Sequence, residues 1–403
     1  MVDPKIMIPH WPQWDKEDVN IVKEVLESGK WWAGSPTGHS GENFWLFQKE
    51  FADFCEVRHA FAVTNGTHAL EIALLVLDIG MGDEVIVPDM TFFASASSVI
   101  STNAVPIFAE IREDTFNIDE NKIESLITER TKAIIVVHLG GMPAEMDVIC
   151  EIAKKHNLGV IEDCAHSHGS RYKGKRLGTW GDIGTFSFQA SKVLTSGEGG
   201  AVITNDDELA EKIYSIIDCG RKEGKHSYDH YNYGSNYRLS ELNAALLRSQ
   251  LKKFPVQHIK RNENARYLLQ KLNEIDGIAC QKRDEAVQEC ANYVFPFKFN
   301  PEKFGEMSVT EFYTYLNSMG IPSDDSYPPL HGLKCFKQMY LRKGIDYSNA
   351  NWGGIKSNNN NFPVTSLVSS QLVELPQEVL LADKTLMDYI VKVIRELRES
   401  FSS

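Results

Sequence analysis

The sequence lacks the features that mark several classes of protein. Its 403 residues include 7 cysteines, which are scattered and form no C-x-x-C pair, so neither a zinc ribbon nor a disulfide framework is indicated. Acidic residues outnumber basic residues by 55 to 42, and the formal net charge is −13. This excess argues against a nucleic-acid-binding protein, because phosphate backbones favour clustered Lys and Arg. It still allows a small anionic ligand in a local pocket.

Long apolar stretches and nucleotide-binding motifs are missing as well. No apolar run approaches the length of about 20 residues that a membrane-spanning helix needs. Residues 1–5 do not begin the basic-then-apolar pattern of a signal peptide. Neither a Walker A sequence nor a G-x-G-x-x-G fingerprint occurs. We therefore expect a cytoplasmic protein in a reducing compartment, without membrane or nucleic-acid partners.

Residues 60–205 contain short apolar runs that alternate with helical patterns. The runs typical of strands are 83–88, 105–108, 133–137, 159–163, 185–188 and 200–204. Segments with helical spacing lie between most of them, for example 67–78, 119–127 and 146–156. This alternation predicts an α/β fold with a mostly parallel sheet. Ligands of such sheets bind at the carboxyl ends of the strands, so the residues after each strand are candidates for chemistry.

The rest of the chain predicts a second, smaller unit. Helical patterns occur at 15–28, 257–273 and 382–398, and an α+β region starts near residue 292. Residues 31–38 and 356–361 are predicted to be loops. We predict a large domain at 1–255, which includes an N-terminal arm, and a small C-terminal domain at 256–403.

The segment Thr64–Ala69 follows an apolar stretch and opens a helix. Gly66 permits close approach of a ligand to the backbone, and the free N–H groups of a helix start bind anions. Asn65 or Thr67 can equally act as a simple helix cap. The segment alone does not decide between a cap and a phosphate site.

The segment Glu162–Gly169 ends the next candidate strand. Asp163, Cys164, His166 and His168 resemble metal ligands, but alternation along an extended chain places them on both faces, and no second ligand cluster supports a metal. We therefore predict no metal site. A carboxylate here is suited to keeping a ring nitrogen protonated, and the alternative is an Asp that caps the turn.

The third segment, 185–200, contains Lys192 between an aromatic strand and a glycine-rich turn. A partly desolvated Lys has a lowered pKa and can form an imine with a carbonyl, whereas a surface Lys beside a turn has no such role. The fourth segment, 234–241, indicates only a loop and a helix start. An anion-binding helix start, a strand-end Asp and a sheltered Lys together fit pyridoxal 5′-phosphate, and Phe92 can provide a flat partner for its ring.

These motifs resemble those of the DegT/DnrJ/EryC1/StrS sugar aminotransferases, which are fold-type I pyridoxal-phosphate enzymes. The resemblance rests on the Lys192 block, on Asp163-x-Ala165-His166, and on segments 28–32 and 63–69. It covers most of the chain and is strongest toward the 3-amino-5-hydroxybenzoate synthase and scyllo-inosose aminotransferase branches. It implies a fold-type I architecture and a homodimer with shared active sites.

The resemblance also implies a role for each matching residue. Lys192 would bind the cofactor covalently and later move a proton, and Asp163 would bind the pyridine nitrogen. His166 would contact the cofactor ring or its phenolic oxygen, and Phe92 would stack on the ring. The phosphate would be held by Gly66, Thr67 and Ser187 of one subunit and by Asn236 of the partner subunit.

The predicted function is transfer of an amino group from L-glutamate or L-glutamine to a keto-sugar, a nucleotide-linked keto-sugar or a keto-cyclitol. A dehydrating, aromatising synthase and a non-catalytic cofactor-binding sensor are the alternatives. A cysteine desulfurase is disfavoured, because no cysteine lies in an evident active-site loop. The basic run Arg171–Arg176 is interpreted as a solvated hairpin, with binding of a diphosphate as the alternative.

Overall fold

The computed structural model describes residues 8–33, 41–222, 225, 228–337 and 362–401. The predicted loop at 356–361, most of the loop at 31–38 and the N-terminal residues 1–5 lie outside the described residues. None of the helices in the described ranges has the length and apolar content needed to cross a membrane.

The described part of the chain contains the following helices and strands. The helices are α1 (Lys16–Ser28), α2 (Asn43–Cys55), α3 (Gly66–Val76), α4 (Ala94–Ser101), α5 (Glu120–Ile123), α6 (Met146–His156), α7 (Asp207–Ile217), α8 (Glu241–Leu272), α9 (Val309–Ser318), α10 (Pro363–Ser369) and α11 (Lys384–Ser400). The strands are β1 (His59–Val63), β2 (Glu84–Pro88), β3 (Val105–Ala109), β4 (Thr131–Val137), β5 (Gly159–Asp163), β6 (Arg171–Tyr172), β7 (Lys175–Arg176), β8 (Ile183–Ser187), β9 (Gly200–Thr204), β10 (Ile278–Cys280), β11 (Val287–Glu289), β12 (Val294–Phe299), β13 (Asp324–Asp325) and β14 (Leu372–Pro376).

The largest sheet has seven strands in the order β1-β9-β8-β5-β4-β2-β3. Five neighbouring strands of this sheet are parallel, namely β8, β5, β4, β2 and β3. Strand β9 is added antiparallel to β8, and β1 is added antiparallel to β9. All six strands predicted between residues 83 and 204 are present, so the mostly parallel sheet is confirmed. Its strands are almost entirely buried, as expected when helices cover both faces.

Register in this sheet aligns the ends of three strands that matter for the site. Val137 at the end of β4 pairs with Asp163 at the end of β5. Asp163 in turn pairs with Thr185 in β8, two residues before Ser187. Because parallel strands end at the same edge, the segments after β4, β5 and β8 meet there.

The helix predicted at 15–28 forms as α1, with a capping box at Asp15 and a left-handed Gly29 (φ +66°) at its end. The helix predicted at 257–273 is much longer in the structure. As α8, it begins after the Ser240 cap and continues through Pro255. The proposed domain boundary at residue 255 therefore lies inside one helix, and the division into two domains stays a prediction.

The C-terminal part contains a four-stranded antiparallel sheet in the order β10-β12-β14-β13. Phenylalanines of β12, including Phe297 and Phe299, pack in its core with the apolar face of α11. That face contains the predicted Leu386, Ile390, Val393 and Leu397, all of which are buried. A third, small sheet joins β11 to the β6–β7 hairpin.

Candidate active site

A cavity of about 360 Å³ lies at the carboxyl edge of the large sheet. This volume is in the range of about 300–1,000 Å³ that is typical of small-molecule sites. Of the predicted site residues, the structure brings seven to the lining of this cavity: Gly66, Thr67, Phe92, Asp163, His166, Ser187 and Lys192. The eighth, Asn236, lies outside it.

Lys192 lies in the turn between β8 and β9, where its N–H donates to the carbonyl of Gln189 (2.9 Å). The side chain is buried, and burial lowers the pKa of its amine to about 8, although the negative charges of Asp163 and Glu374 oppose this effect. The neutral amine is therefore far more populated near neutral pH than it is in an exposed lysine. A neutral buried amine is a nucleophile toward carbonyl groups.

Asp163 lies at the end of β5 with both carboxylate oxygens engaged. The hydroxyl of Ser95 donates to Oδ2 (2.8 Å) and the N–H of Ala165 donates to Oδ1 (3.2 Å). Burial raises the pKa of this carboxyl, and these hydrogen bonds and Lys192 only partly offset the effect. A cationic group placed against Asp163 would stabilise its ionised form, which is the property required to keep a ring nitrogen protonated.

His166 is neutral and fixed in orientation. The N–H of Gly140 donates to Nδ1 (3.4 Å), so the proton of the ring is assigned to Nε2, which lies 3.2 Å from the hydroxyl of Tyr327. Burial lowers the pKa of the imidazole well below its usual range. The ring of Tyr293 packs against the imidazole with centroids 4.2 Å apart. His166 therefore presents a neutral, flat surface to the cavity.

The start of α3 has the geometry of an anion site. Asn65 caps the helix by accepting a hydrogen bond from the N–H of His68 (2.8 Å), and the first helical bond runs from Ala69 N–H to Asn65 C=O. The N–H groups of Gly66 and Thr67 precede that bond and point out of the helix start. A Cβ atom on Gly66 would lie 2.7 Å from Cβ of Ser187, so only glycine allows this approach of α3 to β8.

The remaining predicted residues occupy two different environments. Phe92 follows β2 and lies at the cavity, with its ring centroid 5.9 Å from that of Tyr327. Asn236 is exposed in a segment that forms a single β-bridge with Asp218, away from the cavity of its own chain. Its predicted contact with the site of a partner subunit stays a prediction.

The residues that resembled metal ligands separate in the structure. Asp163 and His166 line the cavity, whereas Cys164 is buried in the hydrophobic core and His168 packs against Phe186 and Phe188. The four side chains are thus spread over different surroundings, but not by the alternation that was expected: β5 ends at Asp163, and the turn that follows brings His166 to the same cavity as Asp163. Neighbouring Glu162 accepts hydrogen bonds from backbone N–H groups of Gly178, Trp180 and Gly181.

The basic run Arg171–Arg176 forms the β6–β7 hairpin, as predicted. Three of its four charges are engaged with acids of neighbouring elements, and the fourth, Lys175, lies over the ring of Trp180. Arg171 pairs with Glu56, Lys173 pairs with Asp147 (2.6 Å) and Arg176 pairs with Glu289 (2.6 Å). These contacts favour the structural interpretation of the run over binding of a diphosphate.

Three residues at the site were not assigned a role from the sequence: Tyr293 and Tyr327, which line the cavity, and Ser95, which contacts Asp163. Ser95 lies in the first turn of α4, the helix that follows β2. Its position shortly after the end of a strand is the signal that would have pointed to it. Tyr293 and Tyr327 come from the C-terminal part of the chain. The segment 327–331 resembles the corresponding segment of sugar aminotransferases, but that resemblance implied no role for Tyr327, and no pattern around Tyr293 places it beside Lys192.

Comparison with known proteins agrees with this geometry. Residues 12–395 match the model of the DegT/DnrJ/EryC1/StrS aminotransferase family. The chain belongs to the DegT/DnrJ/EryC1/StrS aminotransferase family. The fold-type I architecture implied by the resemblance is thereby confirmed, and the enzyme class is that of a transaminase.

Individual family members cover between 72% and 97% of the chain. The 3-amino-5-hydroxybenzoate synthase of Amycolatopsis mediterranei is 39% identical over 292 residues, which are 72% of this chain and 74% of that protein. An L-glutamine:2-deoxy-scyllo-inosose aminotransferase of Streptoalloteichus tenebrarius is 33% identical over 402 residues, 96% of this chain and 94% of that one. The crystal structure of 3-amino-5-hydroxybenzoic acid synthase superposes with a TM-score of 0.87 at 33% identity, covering 97% of this chain and 98% of that chain.

Proposed function

We propose that this protein is a pyridoxal-phosphate-dependent aminotransferase that moves an amino group from L-glutamine or L-glutamate to the ketone of a cyclitol, a sugar or a nucleotide-linked sugar. The observation that carries this proposal is the arrangement of Lys192, Asp163 and the start of α3 around one cavity. Membership of the aminotransferase family and the named activities of the relatives support it.

The residues present fit the cofactor. Pyridoxal 5′-phosphate supplies an aldehyde that condenses with amines and a ring that accepts the electrons of an adjacent C–H bond. Lys192 would bind the aldehyde, and Asp163 would bind the ring nitrogen. Gly66, Thr67 and Ser187 would hold the phosphate through backbone N–H groups and a hydroxyl. Phe92 and His166 would contact the ring.

Lys192 would also move the proton that amino transfer requires. Its amine must be neutral to take a proton from a substrate carbon and charged to return it, so a pKa near the working pH serves both steps. Burial lowers the pKa of Lys192 to about 8, which meets this condition. Asp163 would keep a positive charge on the ring nitrogen throughout.

We further propose that the enzyme is a homodimer in the cytoplasm and that Asn236 completes the phosphate site of the partner subunit. Asn236 and its neighbour Tyr233 are exposed, as are Trp31 and Trp32. Exposed large aromatic side chains are typical of protein interfaces. All seven cysteines are free thiols, which supports a reducing compartment.

Replacement of Gly66 by Ala is expected to weaken cofactor binding. The added Cβ would have to displace Ser187 from the start of α3, because the two Cβ atoms would otherwise lie 2.7 Å apart. Loss of one charge-assisted hydrogen bond to the phosphate corresponds to a rise in Kd of about tenfold to a hundredfold. Fluorescence titration of the cofactor-free protein measures this affinity.

Gly80→Ala is the matched control, since the nearest atom to its new Cβ, the carbonyl oxygen of Thr102, is 3.9 Å away. This variant should bind the cofactor as the wild type does. An unchanged Kd for Gly66→Ala would show that α3 and Ser187 do not hold the phosphate.

The proposed reaction is tested by following the visible absorption of the holoenzyme through both halves of the exchange. L-glutamine or L-glutamate should diminish the absorption of the bound cofactor, and a keto-cyclitol or keto-sugar should restore it. D-glutamine is the control and should leave the spectrum unchanged. If no amino acid changes the spectrum, the protein is a cofactor-binding sensor and the proposal is wrong.

The similarity to 3-amino-5-hydroxybenzoate synthase favours one second candidate, a dehydrating and aromatising synthase. Such an enzyme releases water from a cyclic ketone and forms a product with the ultraviolet absorption of a benzoate. Formation of that product without consumption of an amino donor would favour this candidate over amino transfer.

A further inference from the structure

Tyr293 lies directly against the reactive end of Lys192. The Nζ atom of Lys192 is 3.9 Å from the centroid of the Tyr293 ring. A cation at this distance over an aromatic face is attracted by the negative charge density of the ring, and the attraction is strongest where water is excluded. Lys192 is buried, so the contact belongs to the stronger class.

The Tyr293 ring is held in place by contacts on several sides. Its hydroxyl forms a hydrogen bond with Oγ of Ser191 (2.9 Å), and its N–H donates to the carbonyl of Gly140 (3.1 Å). The imidazole of His166 packs on the ring. Ser191, which orients the ring, directly precedes Lys192, which the ring contacts.

The backbone before Tyr293 is also specialised. Asn292 is fully buried and has a left-handed conformation (φ +53°), which is uncommon for residues other than glycine. Its side-chain amide donates to the carbonyl of Cys290 (2.7 Å) and stabilises this turn. The turn brings β12 of the C-terminal sheet into position to place Tyr293 over the cavity.

In the proposed function, Nζ of Lys192 would have to be free to move a proton and would have to stay within reach of the cavity. Asp163 and Glu374 are the acidic groups that act on Lys192, and burial raises the pKa of Glu374 to about 7. The two nearby imidazoles, of His166 and His168, are kept neutral by burial, which lowers the pKa of each. Lys192 forms no ion pair within the described ranges of the chain, whereas the face of Tyr293 contacts its Nζ atom directly.

We propose that Tyr293 is a positioning residue that holds the free Nζ of Lys192 at the cavity and stabilises its protonated form. The role of Tyr293 in catalysis rests on the proposed amino-transfer function. The contact between Tyr293 and Lys192, however, is a property of the protein without cofactor. The ring face would bind the ammonium group of Lys192 whenever that group is not covalently bound.

The test measures the titration of Lys192 in the cofactor-free protein. Competitive acetylation with acetic anhydride at a series of pH values, followed by mass spectrometry, gives the midpoint for the Lys192 peptide. Exposed Lys23 in the same digest is the internal reference. The wild-type midpoint is expected near pH 8.

Three replacements distinguish the effect of the aromatic face of Tyr293 from the effects of its hydroxyl and of its volume. Tyr293→Phe keeps the aromatic face and should titrate like the wild type. Tyr293→Leu removes the face, so the neutral fraction of Lys192 at pH 7 should rise about threefold to fivefold. A trifluorinated phenylalanine at position 293 keeps the shape of Phe and withdraws electron density from the face. This variant should lower the midpoint of Lys192, as Tyr293→Leu does. It provides the test if Tyr293→Leu does not fold.

The activity of the same variants provides a second readout. Tyr293→Leu should lower kcat about tenfold with little change in KM for the amino donor, because the contact that is lost is the one with Nζ of Lys192. Identical midpoints for the fluorinated and Phe variants would overturn the proposal. That result would leave the spectral test of amino transfer unaffected, so failure of this inference and failure of the proposed function are distinguishable.

Discussion

Replacement of Lys192 by Ala is expected to abolish amino transfer and to prevent covalent attachment of the cofactor. In the proposed function, the buried amine of Lys192 is the nucleophile of the cavity and the group that moves the substrate proton. General acid–base catalysis by one group contributes up to about 10⁴-fold, and the covalent role is lost in addition. We therefore expect kcat/KM to fall by at least about 10⁴-fold.

Borohydride reduction of the holoenzyme followed by mass spectrometry measures the covalent bond. The wild type should retain the mass of the cofactor on the peptide that contains Lys192, and the variant should lose it. Lys175→Ala is the matched control, because it removes the same charge from the exposed β6–β7 hairpin. A Lys192→Ala enzyme with wild-type turnover would contradict the assignment of this lysine.

The position of Lys192 and Asp163 at one edge of the sheet could be predicted because both follow strands with clear apolar patterns. Parallel strands end at the same edge, so their neighbourhood follows from the fold class. The order of the strands does not follow from the sequence. Only the observed order places β5 between β4 and β8 and so brings Asp163 beside the segment that contains Lys192.

The residues that were missed come to the site through contacts that are distant in the sequence. Ser95 approaches Asp163 from the start of α4, 68 residues earlier in the chain. The segment after Tyr327 is anchored by the Leu330 N–H, which donates to the carbonyl of Asp89, and by a hydrogen bond between His331 and the Asp89 carboxylate. Such contacts depend on the tertiary fold and leave no periodic signal in the local sequence.

Helix α8 shows a different limit of sequence patterns. A proline such as Pro255 favours a helix boundary, because proline removes a backbone hydrogen bond in a helix interior. The structure continues the helix through this position, and the buried residues on both sides of Pro255, such as Leu247 and Leu268, belong to the cores beneath it. Tertiary packing of a helix of 32 residues thus outweighs the local cost of one proline.

Replacement of Asp163 by Asn is expected to lower kcat about 10²-fold to 10³-fold while stabilising the cofactor-free protein at neutral pH. The loss in kcat follows from removal of the only buried carboxylate that lines the described cavity, since a neutral amide cannot hold a positive charge on the ring nitrogen. Single-turnover kinetics with a saturating amino donor measure this effect. Asp53→Asn is the matched control, because it makes the same change on the exposed surface of α2.

The gain in stability follows from the sign of the pKa change. Burial raises the pKa of Asp163 above its unfolded value, so the folded protein binds the proton more tightly than the unfolded chain does. The free energy of unfolding therefore falls as the pH rises above the unfolded pKa of about 4. The asparagine side chain of the variant cannot ionise, so the Tm of Asp163→Asn should exceed that of the wild type at pH 7, and the difference should shrink on acidification. A variant that is less stable than the wild type at pH 7 would show that the buried carboxylate does not destabilise the fold. A fully active variant would show that the carboxylate is not needed for catalysis.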